Sequence, residues 1–383
     1  MSVTAARGFR AAGVTAGLKP SGTPDLALVV NDGPLDAVAG VFTGNRVKAA
    51  PVLWSQQVVA GGRVQAVVLN SGGANACTGP AGFADTHATA EAVATALGTG
   101  AGRVGICSTG MIGVRLQMDR LLPGVDAAVG ALAADGGAPA AEAIRTTDTV
   151  AKTAVATGDG WCTGGMAKGA AMLAPALATM LAVVTTDAVA DSATLDAVLR
   201  AATRGSFDRV DTDGCMSTND TVLLLASGAS GVRPPLADLQ AAVSAVCASL
   251  ARQMVADAEG ASKDIAVEVV GAATEDDALE AARAVGRSNL LKCALHGNDP
   301  NWGRVLSAVG TTTAAFEPDA LDVAINGVQV CRAGAPGEDR ALVDLSGREV
   351  RIVVDLHAGD AAATVWTSDL TAAYVHENSA YST

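Results

Sequence analysis

The 383-residue chain is half hydrophobic but only 3% aromatic, so its core has to be filled by Ala, Val and Leu. A net charge of −13 with no long basic run excludes a nucleic-acid binder, which needs a cationic footprint. Seven scattered cysteines, odd in number and never in a Cys-x-x-Cys pair, argue against a zinc site or a disulfide framework.

The N-terminal residues lead into no apolar secretory segment, which predicts a cytoplasmic protein. Short apolar runs at Leu26–Val30, Val38–Thr43 and Val64–Leu69 predict strands, the first two separated by the turn cluster Asn31-Asp32-Gly33-Pro34. The third delivers a polar, glycine-containing loop, Asn70 to Asn75. A helix is predicted over 81–97, then a strand, Arg103–Ser108, running into Thr109-Gly110-Met111-Ile112-Gly113. Backbone N–H groups of such a turn can point at one spot, which is what an oxyanion needs. An Ala-rich helical stretch over 116–133 is expected to break at Pro123. Thr146-Thr147-Asp148-Thr149 reads as a capped loop before a hairpin, Thr153–Thr157 and Trp161–Thr163, turning at Gly158-Asp159-Gly160.

Near the middle lies Gly164 to Asp187: two glycines, one cation (Lys168), an almost uncharged run interrupted by Pro175, and one lone hydroxyl, Thr179. The run is too short to span a membrane. It reads either as a buried strand reached through a turn, or as a proline-fixed loop that sets a hydroxyl at the start of a strand, facing the carbonyl before it. Beyond it come a helix from Ser192 to Ala202, capped by Asp191 or Ser192, a strand from Thr221 to Ala226, and a long helix from Leu236 to Ala258. Alternating carboxylates in Asp208 to Gly214 lack the closing glutamate of a calcium loop. Glu259 sits at a helix C-terminus, where the dipole favours cations; it is a functional candidate, or else a partner of Lys263. A strand (Ile265–Val270), a helix (275–295), a polar loop (296–304), an Asn326-Gly327 hairpin and a final strand pair (Val350–Leu356 with Ala363–Thr367) complete the pattern. The tail from Asp369 reads as frayed. Strands and helices alternating without a strict βαβ rhythm predict an α/β sandwich, sheets lying between helical layers.

The sequence closely resembles the ornithine acetyltransferase family, the glutamate N-acetyltransferases of arginine biosynthesis. The resemblance rests on Lys168-Gly169, Pro175, Ala178-Thr179, an apolar strand and Thr185-Thr186-Asp187. Ser108-Thr109-Gly110-x-Ile112-Gly113, Met216 to Thr221 and His296 to Arg304 follow in the family's order. It implies self-cleavage between Ala178 and Thr179 into an alpha fragment, 1–178, and a beta fragment, 179–383, interwoven in one fold of the N-terminal-threonine nucleophile type. It further implies Thr109 and Gly110 as the oxyanion hole, and Thr149, Lys168, Thr179, Glu259, Asn378 and Thr383 as substrate contacts. The implied assembly is a heterotetramer with two copies of each fragment.

The chemistry fits. No histidine lies in a nucleophile elbow, so a threonine hydroxyl needs another base, and an N-terminal threonine carries one in its own α-amine, of pKa about 7.7–8.0. The expected reaction moves acetyl from N-acetylornithine to glutamate through an acetyl-threonine, with acetyl-CoA as an optional second donor and no metal or bound cofactor. The alternatives are an amidohydrolase or aminopeptidase of related fold using the same threonine, and a non-catalytic amino-acid-binding protein in which Thr179 is core.

Overall fold

The computed structural model describes residues 2–174 and 180–380. It divides into two compact units, the first built on residues up to Asp208 and Cys215–Met254, the second on Arg209–Gly214 and the chain from Val255 onward.

In the first unit β1 (Phe9–Val14), β2 (Leu26–Asn31) and β3 (Ala37–Phe42) are followed by α1 (Ala50–Ala60), β4 (Ala66–Asn70), α2 (Gly79–Leu97), β5 (Val104–Ser108), α3 (Met118–Gly130) and α4 (Gly137–Ala143). Next come β6 (Lys152–Thr157), β7 (Cys162–Lys168), β8 (Leu181–Thr186), α5 (Ser192–Arg204), β9 (Thr221–Ala226) and α6 (Leu236–Ala256). They form two sheets, ordered β1-β2-β4-β5 and β3-β9-β8-β7-β6. The sheets face each other across Val29, Val67 and Leu69 on one side and Met166, Val183, Leu223 and Leu225 on the other. The outer face of the first sheet, with Leu28, Val68 and Ile106, is covered by Val93 of α2 and by Leu121 and Val125 of α3. On the outer face of the second, α6 comes so close that a Cβ on Gly165 would lie 2.9 Å from Val246, while α5 packs along β3. Helix, sheet, sheet, helix is the expected sandwich. Residues of β2, β4, β5, β8 and β9 are buried on both faces, hence their continuous apolar runs. Helix α6 is long and apolar enough to cross a membrane, but half of that apolar window is buried inside the protein.

The second unit contains β10 (Asp264–Ala272), α7 (Glu275–Gly286), α8 (Asn289–His296), α9 (Trp302–Val309), β11 (Asp322–Ile325), β12 (Val328–Arg332), β13 (Ala335–Pro336), β14 (Glu349–Asp355), β15 (Ala361–Ser368) and α10 (Ala372–Ala380). Its sheet runs β13-β12-β11-β14-β10-β15 over a core of Val267, Val269, Val285, Val305, Ile352 and Val365. The Asn326-Gly327 hairpin is present, both residues at positive φ (46° and 86°). Among the described residues, which include all seven cysteines, there is no disulfide.

Four local expectations need correction. Pro123 does not break α3; the helix runs through it because Leu121, Val125 and Ala128 bury one face. The single helix over 275–295 is two, because Ser288 caps a new one by accepting from the Leu291 N–H at 3.3 Å. The last two long strands do not pair with each other: β10 lies between them, parallel to β14 and antiparallel to β15. The tail is helix α10, tied down by the Thr371 hydroxyl, which donates to Gly260 O at 2.7 Å and accepts from Tyr374 N–H at 2.9 Å.

Candidate active site

Three strands of the second sheet end together. In register, Lys168 of β7 lies opposite Leu181 of β8, and Leu181 opposite Thr221 of β9. The first residue of β8 is therefore flanked by Lys168 on one side and by Thr221 on the other. Thr179 and Ala178, the expected nucleophile and cleavage partner, lie outside the described residues, as do Pro175 and Thr383. Met180 is described: it is buried, donates its N–H to Asp220 Oδ1 at 2.9 Å and accepts from Thr221 N–H at 3.2 Å.

The facing sheet brings the Thr109–Gly110 turn. Asn70, ending β4, organises it: its carbonyl accepts from Thr109 N–H (3.0 Å), its Oδ1 accepts from the Ser108 hydroxyl (2.6 Å), and its Nδ2 donates to Gly73 O (2.9 Å). Asn219 then ties the two sheets together, donating to Ala74 O at 2.6 Å and Ser108 O at 2.8 Å. Gly110 has φ 131°, and a Cβ there would lie 2.7 Å from Gly73 N, so only glycine fits. One expectation changes here. The Thr109 N–H is committed to Asn70, so what this residue can offer an oxyanion is its hydroxyl, whereas the Gly110 N–H has no partner among the described residues.

Lys168 Nζ stands 3.5 Å from the Thr109 hydroxyl and 3.9 Å from Asp148 Oδ2, almost fully buried. Asp148 is the anion of this site. Its Oδ1 accepts from Lys152 Nζ and from Gly169 N–H, each at 2.6 Å, and its Oδ2 accepts from Thr146 N–H at 3.0 Å. Burial alone would raise its pKa, but the charges of Lys168 and Lys152 with these hydrogen bonds outweigh it and hold the carboxylate below its usual range. Two lysines meet at this one carboxylate beside the turn. Thr149, the expected substrate contact, is exposed next to Asp148, its carbonyl accepting from Arg145 at 2.7 Å.

In the second unit, Asn378 Nδ2 donates to Glu259 Oε2 at 2.9 Å. The alternative partner is excluded: Lys263 Nζ donates instead to the carbonyls of Leu345 and Gly347. Asp148, Lys152, Asn70 and Asp220 were missed by motif reading. The one available signal was Lys152, a lysine opening a strand that holds no other charge.

The ArgJ family model matches residues 10–383. The arginine biosynthesis bifunctional protein ArgJ of Streptomyces coelicolor is 70% identical over 382 residues, covering 100% of both chains, and that of Mycobacterium tuberculosis is 60% identical, covering 99% of this chain and 96% of its own. A solved ornithine acetyltransferase complexed with ornithine, from Mycobacterium tuberculosis, is 61% identical, with a TM-score of 0.45 over 47% of this chain and 96% of that one. With a match of this extent, the chain belongs to the ArgJ family.

Proposed function

We propose that the chain cuts itself before Thr179 and then carries acetyl on that residue, from N-acetylornithine to glutamate. Membership of the family makes it a glutamate N-acetyltransferase of arginine biosynthesis; the proposal concerns how it works. The observation that carries it is that Lys168, opposite the start of β8, lies 3.5 Å from the Thr109 hydroxyl, next in sequence to the Gly110 N–H, which has no partner among the described residues.

In the first step Thr179 Oγ attacks the Ala178 carbonyl carbon, the C–N bond breaks, and the hydroxyl proton ends on the departing nitrogen. Water then hydrolyses the ester, leaving Ala178 with a carboxylate and Thr179 with a free amine and hydroxyl. That amine serves as base for its own Oγ in acetyl transfer. Oγ attacks the acetyl carbonyl of N-acetylornithine, the oxyanion is met by the Gly110 N–H and the Thr109 hydroxyl, and ornithine leaves with the proton on its nitrogen. Glutamate's amine takes the acetyl group in the reverse sense. One such oxyanion donor is worth about 2.7–4 kcal/mol, or 10²–10³ in kcat. Lys168 is assigned the substrate α-carboxylate and Glu259, oriented by Asn378, the side-chain ammonium, with Thr149 and Thr383 as further contacts. Acetyl-CoA would enter, as an optional donor, at the same acetyl-threonine. Two copies of each fragment are the proposed assembly.

The test uses Thr179→Ala and the wild-type protein. Intact-mass spectrometry should find two fragments for wild type and one chain for the variant, and the variant should transfer no acetyl. Ornithine release from N-acetylornithine should require glutamate; equal release without it would assign the threonine to a hydrolase.

A further inference from the structure

The backbone N–H of Met180 is held by a carboxyl that the mechanism above leaves unused. Asp220 is 0% exposed, and its Oδ1 accepts the Met180 N–H at 2.9 Å. Among the described residues its Oδ2 has no hydrogen-bond partner. The hydroxyls of Ser217 and Thr43 neighbour it, but Thr43 directs its hydrogen to Ser217 O at 2.7 Å. Its neighbour Asn219 is fully engaged in comparison, with both amide hydrogens and its oxygen in use. Burying a carboxyl is costly, and one held against a single backbone N–H calls for a reason. Burial drives its pKa well above the usual range, against the opposing pull of the Met180 N–H, of those hydroxyls and of Lys168, the charged group that acts on it.

We propose that Asp220 is a positioning residue for the nucleophile, fixing the Thr179–Met180 peptide through the Met180 N–H in the uncut chain as well as in the mature enzyme. The inference rests on Thr179 being the nucleophile. Its force comes from the first step. Before cleavage the nitrogen of residue 179 belongs to the amide that is about to break, so it cannot act as a base. The rate then depends on how well the hydroxyl is held against the Ala178 carbonyl, and holding reacting groups in line is worth orders of magnitude. Pinning the peptide on the far side of the same Cα removes freedom that would otherwise be spent searching.

The experiment compares Asp220→Asn, which keeps an oxygen acceptor for the Met180 N–H, with Asp220→Ala and Asp220→Leu, which do not. Leucine also fills the space, so at least one acceptor-less variant should fold, as judged by its thermal melt. Self-cleavage is followed by intact mass. The acceptor-less variants should cleave at least about tenfold more slowly, a change of 1.4 kcal/mol in the barrier, and asparagine should restore the rate to within about threefold. In the cleaved material that accumulates, kcat should fall in the acceptor-less variants with KM for N-acetylornithine unchanged. Wild-type cleavage rates in a folded acceptor-less variant would overturn the proposal, as would asparagine being as slow as alanine or leucine, or an effect confined to KM. The parent reading fails separately: a wild-type chain that transfers acetyl while uncut would remove Thr179 as nucleophile, whatever Asp220 does.

Discussion

Asp148 holds together a charge cluster that burial alone would forbid. Lys152 is fully buried, its ammonium 2.6 Å from Asp148 Oδ1, and Lys168 lies 3.9 Å from the other oxygen. Replacing Asp148 with asparagine keeps the shape but leaves the Lys152 charge buried without its carboxylate. Removing one partner of a buried pair costs about 3–5 kcal/mol, so Asp148→Asn should lower the denaturant midpoint at pH 7 by a large fraction of the total stability. The sign of the pH dependence follows. Because the folded pKa of Asp148 is depressed, its contribution is complete above the ordinary carboxylate range and is lost as pH falls below it. Unfolding midpoints measured from pH 7 downward should therefore fall steeply for wild type and less for the variant; parallel curves would show that Asp148 is not the linked group. Asp220 works oppositely, its raised pKa favouring the fold most at low pH. Neither residue stood out in the sequence. Asp148 read as part of a capped loop, and Asp220 gains its meaning only when β9 is laid beside β8. Lys168 drew notice as the one cation of its stretch and Glu259 by its place at a helix C-terminus, whereas Asn378 entered only through the family resemblance.

At the level of elements, strands were easier to find than their partners. β2, β4, β5, β8 and β9 announce themselves as apolar runs because sheet or helix covers both faces. Nothing local could reveal that β10, far upstream, inserts between β14 and β15, since pairing is decided by which faces must be buried together. Helix breaks were misjudged in both directions for the same reason. At Ser288 a side-chain cap within one turn was decisive, while at Pro123 burial of the opposite face was. Pro123 is exposed and sits inside α3, where it removes the hydrogen bond that Asp119 O would accept and crowds that carbonyl. An interior proline costs about 3 kcal/mol in a helix, and the restriction it places on the unfolded chain returns about 0.4–1 kcal/mol. Pro123→Ala should therefore stabilise the protein, by about 2 kcal/mol in a chemical-denaturation experiment, without altering acetyl transfer. A loss of stability would mean that the proline is fitted to its surroundings in a way helix energetics does not capture.

Across the whole molecule, the proposed cut falls where the chain is most interlaced. In the five-stranded sheet β3, β7 and β6 come before residue 178, whereas β8 and β9 come after it, and the order β3-β9-β8-β7-β6 seats the two later strands between the earlier ones. Six register pairs join β3 to β9 and six more join β7 to β8. Hydrolysis of one peptide bond leaves those ladders intact, so the fragments 1–178 and 179–383 should co-elute from a sizing column under native conditions and separate only in denaturant. Produced apart, each should fail to build the first unit, because β3 and β7 on one side and β8 and β9 on the other are left with unpaired edges and uncovered apolar faces. The second unit has its own core and can keep structure in the isolated beta fragment, so the diagnostic is the cooperative melt of the first unit rather than total ellipticity. Co-expression then separates folding from chemistry. If the amine of Thr179 is the base, an alpha fragment ending at Ala178 and a beta fragment made to begin at Thr179 should assemble into an active transferase without any cleavage event. A beta fragment that keeps one extra residue before Thr179 should assemble equally well and transfer nothing, because its hydroxyl would be present and its base would not.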